Sequence, residues 1–252
     1  MRKIYFIHPG IHKETHFFPK GFSLVETLIA LSLSSLILLF SFEIFSSTQK
    51  HFFKLKQEEE NCTAAYAALD KMRIDISRGG WGLLQPLKMD VLEGITKDRG
   101  TLTIFSRKMN LFLSSDLKSG QTKIHLKGAL QKIKKGQKLC IHDTIHGEIK
   151  DTSSIHPESV ILDSPLNHSY SHVHTSVILL RQVSLFLDKK RNILRRKVNT
   201  APAQPLLEKV STFDFQYEKE TNLLILALSF KQKGEKRYET TLFPKNTAMA
   251  QL

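Results

Sequence analysis

Residues 19–45, PKGFSLVETLIALSLSSLILLFSFEIF, decide how the rest of the chain is read. From Phe22 to Phe45 there are 24 residues, and Glu26 and Glu43 are the only charges among them. At about 1.5 Å per residue, a helix of that length crosses a hydrocarbon core about 30 Å thick. Glu26 lies near the start of the run, where an ionised carboxylate in lipid costs about 2.5 kcal/mol or more. Such an acid either lies close enough to the interface to reach headgroup water or needs a partner. The flank before the run holds Arg2, Lys3, Lys13 and Lys20 against Glu14, a net charge of +3. That excess keeps the N-terminus on the cytoplasmic side and sends the rest across. A cleaved secretory signal fits less well. Its apolar region is about 7–15 residues long and ends at an A-x-A-like site, whereas this run is longer and SSTQKHFFK (46–54) offers only a Ser-containing alternative.

The helix is predicted to continue beyond the membrane. No Pro or Gly occurs between Phe45 and Ser77, and Leu55, Cys62, Ala65, Leu69, Met72 and Ile76 recur at helical spacing on one face. Glu58, Glu59 and Glu60 fall off that stripe. SRGGWG (77–82) ends the helix, with Gly79 as the expected left-handed cap. Leu24 to Ser77 would rise on the order of 80 Å. After Gly82 the pattern changes to short β-branched and apolar runs between polar punctuation. The predicted strands are 101–106, 123–126, 138–142, 159–163, 176–188, 192–198, 210–218, 222–231 and 237–243. KETN (219–222) suggests a hairpin, Phe213, Phe215 and Tyr217 alternate as in a half-buried strand, and NTAPAQPL (199–206) reads as a loop. The fold class is α+β: a long N-terminal helix followed by an antiparallel β-rich head.

KGFSLVETLIALSL (20–33) closely resembles the processing site of type IV prepilins and pseudopilins. The resemblance implies that a prepilin peptidase cuts between Gly21 and Phe22 and that the new Phe22 amine is N-methylated. Glu26 would then face the terminal amine of a neighbouring subunit in the assembled fibre, so that two groups each costly in lipid compensate one another. The implied organisation is a leader (1–21), a membrane half of the helix (22–45), an amphipathic half (46–78) and a head (79–252). Within the class, LDKMRIDISRGGWG (69–82), VILLRQVSLFLDKKRNILRRKV (177–198) and the C-terminal stretch 213–246 resemble the larger minor pilins of the PilW type. No Cys follows GGWG, where many relatives place one. A J-type pseudopilin of type II secretion shares much of this architecture. The implied role is assembly of a priming or tip complex for a type IV pilus, with the other minor and major pilins and the inner-membrane assembly platform as partners. The implied location is a single pass in the inner membrane, N-terminus inside and head outside the cytoplasm.

The formal charge is +13, and loss of the leader lowers it to +10. One basic cluster comprises Lys123, Lys127, Lys132, Lys134, Lys135 and Lys138; another comprises Lys189, Lys190, Arg191, Arg195, Arg196 and Lys197. Such patches suffice for non-specific binding to nucleic acid, and pilus systems import DNA. Lys134, Lys135, Arg195 and Arg196 are therefore candidates for DNA or surface contact, against the commoner use of Lys to protect strand edges. Cys62 and Cys140 either form one bridge from helix to sheet or remain two free thiols. Among the 11 His, HSYSHVH (168–174) is the place to look for a metal, but no zinc-type spacing occurs and neither metal nor cofactor is expected. Without a nucleophile elbow, a phosphate loop or a paired-carboxylate motif, the sequence predicts a chain that is not an enzyme.

Overall fold

The computed structural model describes residues 21, 23–128, 130–230 and 237–249. Helix α1 covers Leu24–Ser77 without interruption. The chain divides into two units, and the boundary falls within α1, between Glu59 and Glu60. In the first unit the helix presents its apolar side chains outward, from Leu24 to Leu55. In the second unit Ala65, Ala68, Leu69, Met72, Asp75 and Ile76 form the buried stripe. The predicted stripe thus holds from Ala65 onward, but Leu55 is exposed and Cys62 only half-buried. The helix stops because Gly80, at φ +74°, turns away and donates its N–H to the carbonyl of Phe105 at 2.8 Å. The left-handed residue is therefore Gly80 and not Gly79. Gly79 is small for packing, since a Cβ there would lie 3.1 Å from the Ile95 side chain.

The second unit contains nine strands in one antiparallel system: β1 (Ile95–Asp98), β2 (Thr101–Leu113), β3 (Lys123–Lys127), β4 (Lys138–His142), β5 (Gly147–Ile155), β6 (Ser159–Leu162), β7 (Ser176–Asp188), β8 (Ile193–Val198) and β9 (Gln204–Leu207). Their order is β1-β2-β3-β6-β5-β4-β7-β8-β9, with a further pairing of β2 to β7. That pairing closes β2, β3, β6, β5, β4 and β7 into a ring, a small barrel. β2 and β7 are long enough to serve twice. From Thr101↔Phe186 to Arg107↔Leu180 they lie in an open layer; at Leu111↔Val177 they are staves of the barrel, and the register shifts between Arg107 and Met109 where the two parts meet. A separate antiparallel sheet comprises β10 (Val210–Glu218), β11 (Leu223–Phe230) and β12 (Arg237–Leu242).

Three apolar cores follow from this layout. The α1 stripe packs with Ile95, Leu102, Ile104, Val183 and Leu185 of the open layer and with Phe213, Phe215, Leu226 and Leu228 of the separate sheet. Leu111, Ile124, Leu139, Ile141, Val160, Val177 and Leu179 fill the barrel. On the other face of β4 and β7, Cys140, Ile178 and Leu180 meet Leu83 and Leu92, beside the short helix α2 (Leu84–Lys88).

Two polar clusters sit inside these cores. Asp75, about 1% exposed, accepts hydrogen bonds from Arg196 Nε at 2.6 Å, Arg196 Nη2 at 3.0 Å and Arg181 Nη2 at 3.0 Å. Burial alone would raise its pKa, but the two guanidiniums outweigh burial and hold the carboxyl below the ordinary value. In the barrel, β5 turns Glu148, Lys150 and Thr152 inward. Glu148 pairs with Lys150 at 3.0 Å and accepts from Tyr170 Oη and from the backbone N–H groups of Asn167 and His168. Lys150 also donates to the carbonyl of Pro165 at 2.6 Å. Burial works against ionised Glu148, yet its donors hold that carboxyl below the ordinary range as well.

Breaking the Asp75 cluster is expected to cost about 3–5 kcal/mol, because Asp75→Ala leaves two guanidiniums without their partner. Equilibrium urea unfolding of the full chain in detergent measures it. The sign with pH follows from the depressed folded pKa. The contribution is fully present above the unfolded carboxylate value of about 3.9 and disappears as pH falls through the lower folded value. Asp75→Asn should therefore flatten the acid limb of the stability curve.

Candidate functional site

The start of α1 is fixed by a reciprocal cap. Ser23 N–H donates to Glu26 Oε2 at 2.9 Å, and Glu26 N–H donates to Ser23 Oγ at 3.2 Å. This is the Ser-x-x-Glu capping box, which satisfies two helix-end donors at once. The spacing Ser23-Leu24-Val25-Glu26 is legible in the sequence as a cap. The resemblance accounts for Glu26 alone and leaves Ser23 without a role. Among the described residues Glu26 Oε1 accepts no hydrogen bond. Gly21 is exposed, and nothing lies within 4 Å of the place a Cβ would take. The expected cleavage and methylation at Phe22 lie outside the described residues, as do residues 1–20 of the expected leader.

The helix beyond the cap suits an apolar solvent. Leu24, Val25, Leu31, Leu38, Leu39, Phe42 and Ile44 all point outward, and α1 is the one described helix long and apolar enough to cross a membrane. Four of its hydroxyls bond back to the helix: Thr27 to Leu24 O, Ser32 to Ile29 O, Ser35 to Ser32 O and Thr48 to Ile44 O, each at 2.8 Å. A hydroxyl satisfied this way does not need water.

The basic candidates divide. Lys134 and Lys135 are exposed. They are joined by a lysine that the sequence places elsewhere: Lys108, the residue skipped in the β2–β7 register, donates to the carbonyl of Lys132 at 3.0 Å. Burial lowers the pKa of Lys108, and the charges of Lys134 and Lys132 lower it further. Arg195 and Arg196 do not form a free anion site. Arg195 is bonded to Asp188 at 3.0 Å, and Arg196 is committed to Asp75. Both guanidiniums are thus already engaged within the fold. Their strand, β8, lies between β7 and β9, and both guanidiniums turn to carboxylates of the fold.

The remaining candidates are spread out. His146 and His168 stack with ring centroids 4.3 Å apart, while His172 Nδ1 lies 2.7 Å from Asp116 Oδ1. No group of three or more His, Cys, Asp or Glu side chains able to hold a metal ion occurs among the described residues. Cys62 and Cys140 are both free, so the bridge left open by the sequence is not formed. Cys140 packs on the α2 side of β4, in a different core from the helix stripe. Burial pushes its thiol up to about 12. Cys62 is therefore expected to react with a maleimide in the folded protein and Cys140 only after unfolding, with peptide mapping under non-reducing conditions returning two unlinked thiols.

Comparison with known proteins bears on the cap and the apolar helix. Residues 19–42 match the family described as the prokaryotic N-terminal methylation motif. No curated protein and no solved structure matches the chain. The motif, the capped apolar helix that it opens and the β-rich unit that follows support a type IV pilin-like or pseudopilin chain with a single-pass membrane anchor and a soluble head.

Proposed function

We propose that the chain is a minor pilin or pseudopilin subunit of the larger, PilW-like kind, which joins other minor pilins in a membrane-anchored priming or tip complex for pilus assembly. It is made as a precursor with a leader over 1–21, cut after Gly21 by the prepilin peptidase and methylated on Phe22. Residues 22–45 span the membrane, 46–78 continue the helix and 79–252 form the head. The cationic flank keeps the N-terminus in the cytoplasm. The role is structural, and the chain performs no catalysis of its own. The observation that carries the reading is the methylation motif over residues 19–42, set at the start of an outward-facing apolar helix with one early carboxylate.

Glu26 gives the reading its physical content. One carboxylate oxygen is held by the N–H of Ser23, the residue after the proposed new terminus. The other is left for an ammonium brought by a neighbouring subunit, and two desolvated opposite charges cost less together than apart. Mass spectrometry of the terminal peptide from host membranes should show a chain beginning at methylated Phe22, and only where the prepilin peptidase is present. A chain retaining Met1, or beginning near Thr48, would end this reading. Glu26→Ala should still be cut after Gly21 but should be lost from purified fibres.

A second role for the same subunit, contact with DNA at the fibre tip, is favoured by one observation. Lys108 brings a further ammonium to Lys132 and Lys134 without a paired carboxylate among the described residues. Charge reversal at Lys134 and Lys135 should weaken binding of duplex DNA and reduce the salt slope by about 2, one for each phosphate that is no longer neutralised. Unchanged affinity and slope in a filter-binding titration would remove this role. Arg195 and Arg196 are unsuitable for that test, since they hold Asp188 and Asp75.

A further inference from the structure

The stretch of α1 just beyond the apolar run, QKHFFKLK (49–56), packs against nothing among the described residues yet has a definite character. Lys50, Lys54 and Lys56 are its charges, and no acid occurs between Ser46 and Gln57. Phe52 and Phe53 are 62% and 58% exposed, with their rings edge to face at 6.1 Å, and Leu55 is 65% exposed. A helix bathed in water gains nothing by presenting two Phe and a Leu among three Lys. At a membrane–water interface, aromatic rings and lysines are the expected side chains.

The distances fit that location. From Phe45, the end of the apolar run, to Phe52 a helix rises about 10 Å, and a headgroup layer is about 5–8 Å deep. Helical side chains lean toward the helix N-terminus, here toward the membrane. The rings of Phe52 and Phe53 and the ammoniums of Lys50 and Lys54 therefore reach back into the headgroup layer. The acid run 58–60 begins one turn beyond Lys54, where it stays clear of the phosphates.

We propose that Lys50, Phe52, Phe53, Lys54 and Lys56 form an interfacial collar that binds anionic phospholipid headgroups and sets how far α1 stands out of the bilayer. The collar rests on the membrane-anchor reading of α1 but not on processing or methylation. The partner is a lipid surface with phosphates that are not neutralised by choline. Each lysine near such a surface shifts the partition toward it by about fivefold.

The test uses the full chain reconstituted in phosphatidylcholine vesicles, with or without phosphatidylglycerol. Trp81 is the sole tryptophan, so Leu38→Trp and Phe52→Trp are each placed in a Trp81→Phe background. Quenching by lipids brominated deep or near the headgroup then reports depth, and acrylamide reports exposure to water. Leu38→Trp should be quenched by deep bromines. Phe52→Trp should be quenched by shallow bromines and shielded from acrylamide several-fold better in vesicles containing phosphatidylglycerol. Lys50→Gln, Lys54→Gln and Lys56→Gln together should abolish that added shielding. Deep quenching at position 38, with position 52 open to acrylamide alike in both lipids, would overturn the collar and leave the anchor standing. Absence of lipid quenching at position 38 would overturn the anchor, and the collar with it.

Discussion

The carboxylate of Asp75 ties α1 to the open layer of the second unit. It sits on the stripe that otherwise carries Ala65, Leu69, Met72 and Ile76, and it draws Arg181 of β7 and Arg196 of β8 to the helix face. The geometry is bidentate from Arg196 and single from Arg181, so the helix is fixed in rotation and in height against two neighbouring strands. Apolar packing alone specifies such a register weakly, because Ala and Leu slide past one another at little cost. A buried charge that would lose its partners by sliding does not slide. The neighbouring Ala65 and Ala68 are small and buried in the same core.

The same constraint shapes the barrel. β5 is the stave whose inward residues are Glu148, Lys150 and Thr152, where the other staves contribute Leu, Ile and Val. Each inward polar group is bonded to a connection of the barrel: Glu148 to Asn167, His168 and Tyr170 and Lys150 to Pro165, all between β6 and β7, and Thr152 to Lys134 between β3 and β4. The polar stave therefore helps to organise the long connection from β6 to β7, together with the isolated bridge of Leu117 to Tyr170. That connection carries HSYSHVH, so its His residues serve as neighbours of a closing loop. The stacked pair His146 and His168 joins it to the β4–β5 turn.

What the sequence reveals and what it hides follow the same line. β4, β7 and β10 fall on the predicted residues 138–142, 176–188 and 210–218, because their apolar and β-branched residues face a core on at least one side. β5 is hidden because GEIKDTSSI reads as polar when its charges are compensated by partners far along the chain. β9 reads as loop because of its Pro, yet Pro205 is tolerated on an edge strand that pairs only with β8. β1 is four residues long and gives too short a pattern to see. At the head of α1, the apolar run and Glu26 are plain, while the pairing of Ser23 with Glu26 needs only the cap rule. Arg195 and Arg196 mislead for the opposite reason. A run of cations looks free until its carboxylates, Asp188 and Asp75, arrive from other elements.

Asp75 and Glu26 lie on one helix and show what the membrane end lacks. In the head, removing a carboxylate from water is offset by two guanidiniums held in place by a sheet. At Glu26 the described partner is one backbone N–H, and the apolar side chains around it face outward. A lone neutral donor does not offset the desolvation of a charge. Nothing else among the described residues supplies the difference, which interfacial water would meet while the subunit is alone and, in the proposed assembly, a cation would meet beside a neighbour. Water is lost when apolar helices pack side by side, so packing such helices without a cation at Glu26 would be opposed by the very residue that stands at their entrance. In the proposed assembly the carboxylate would favour the register that brings an ammonium to it over every other register, which would give an otherwise non-directional apolar association a defined alignment.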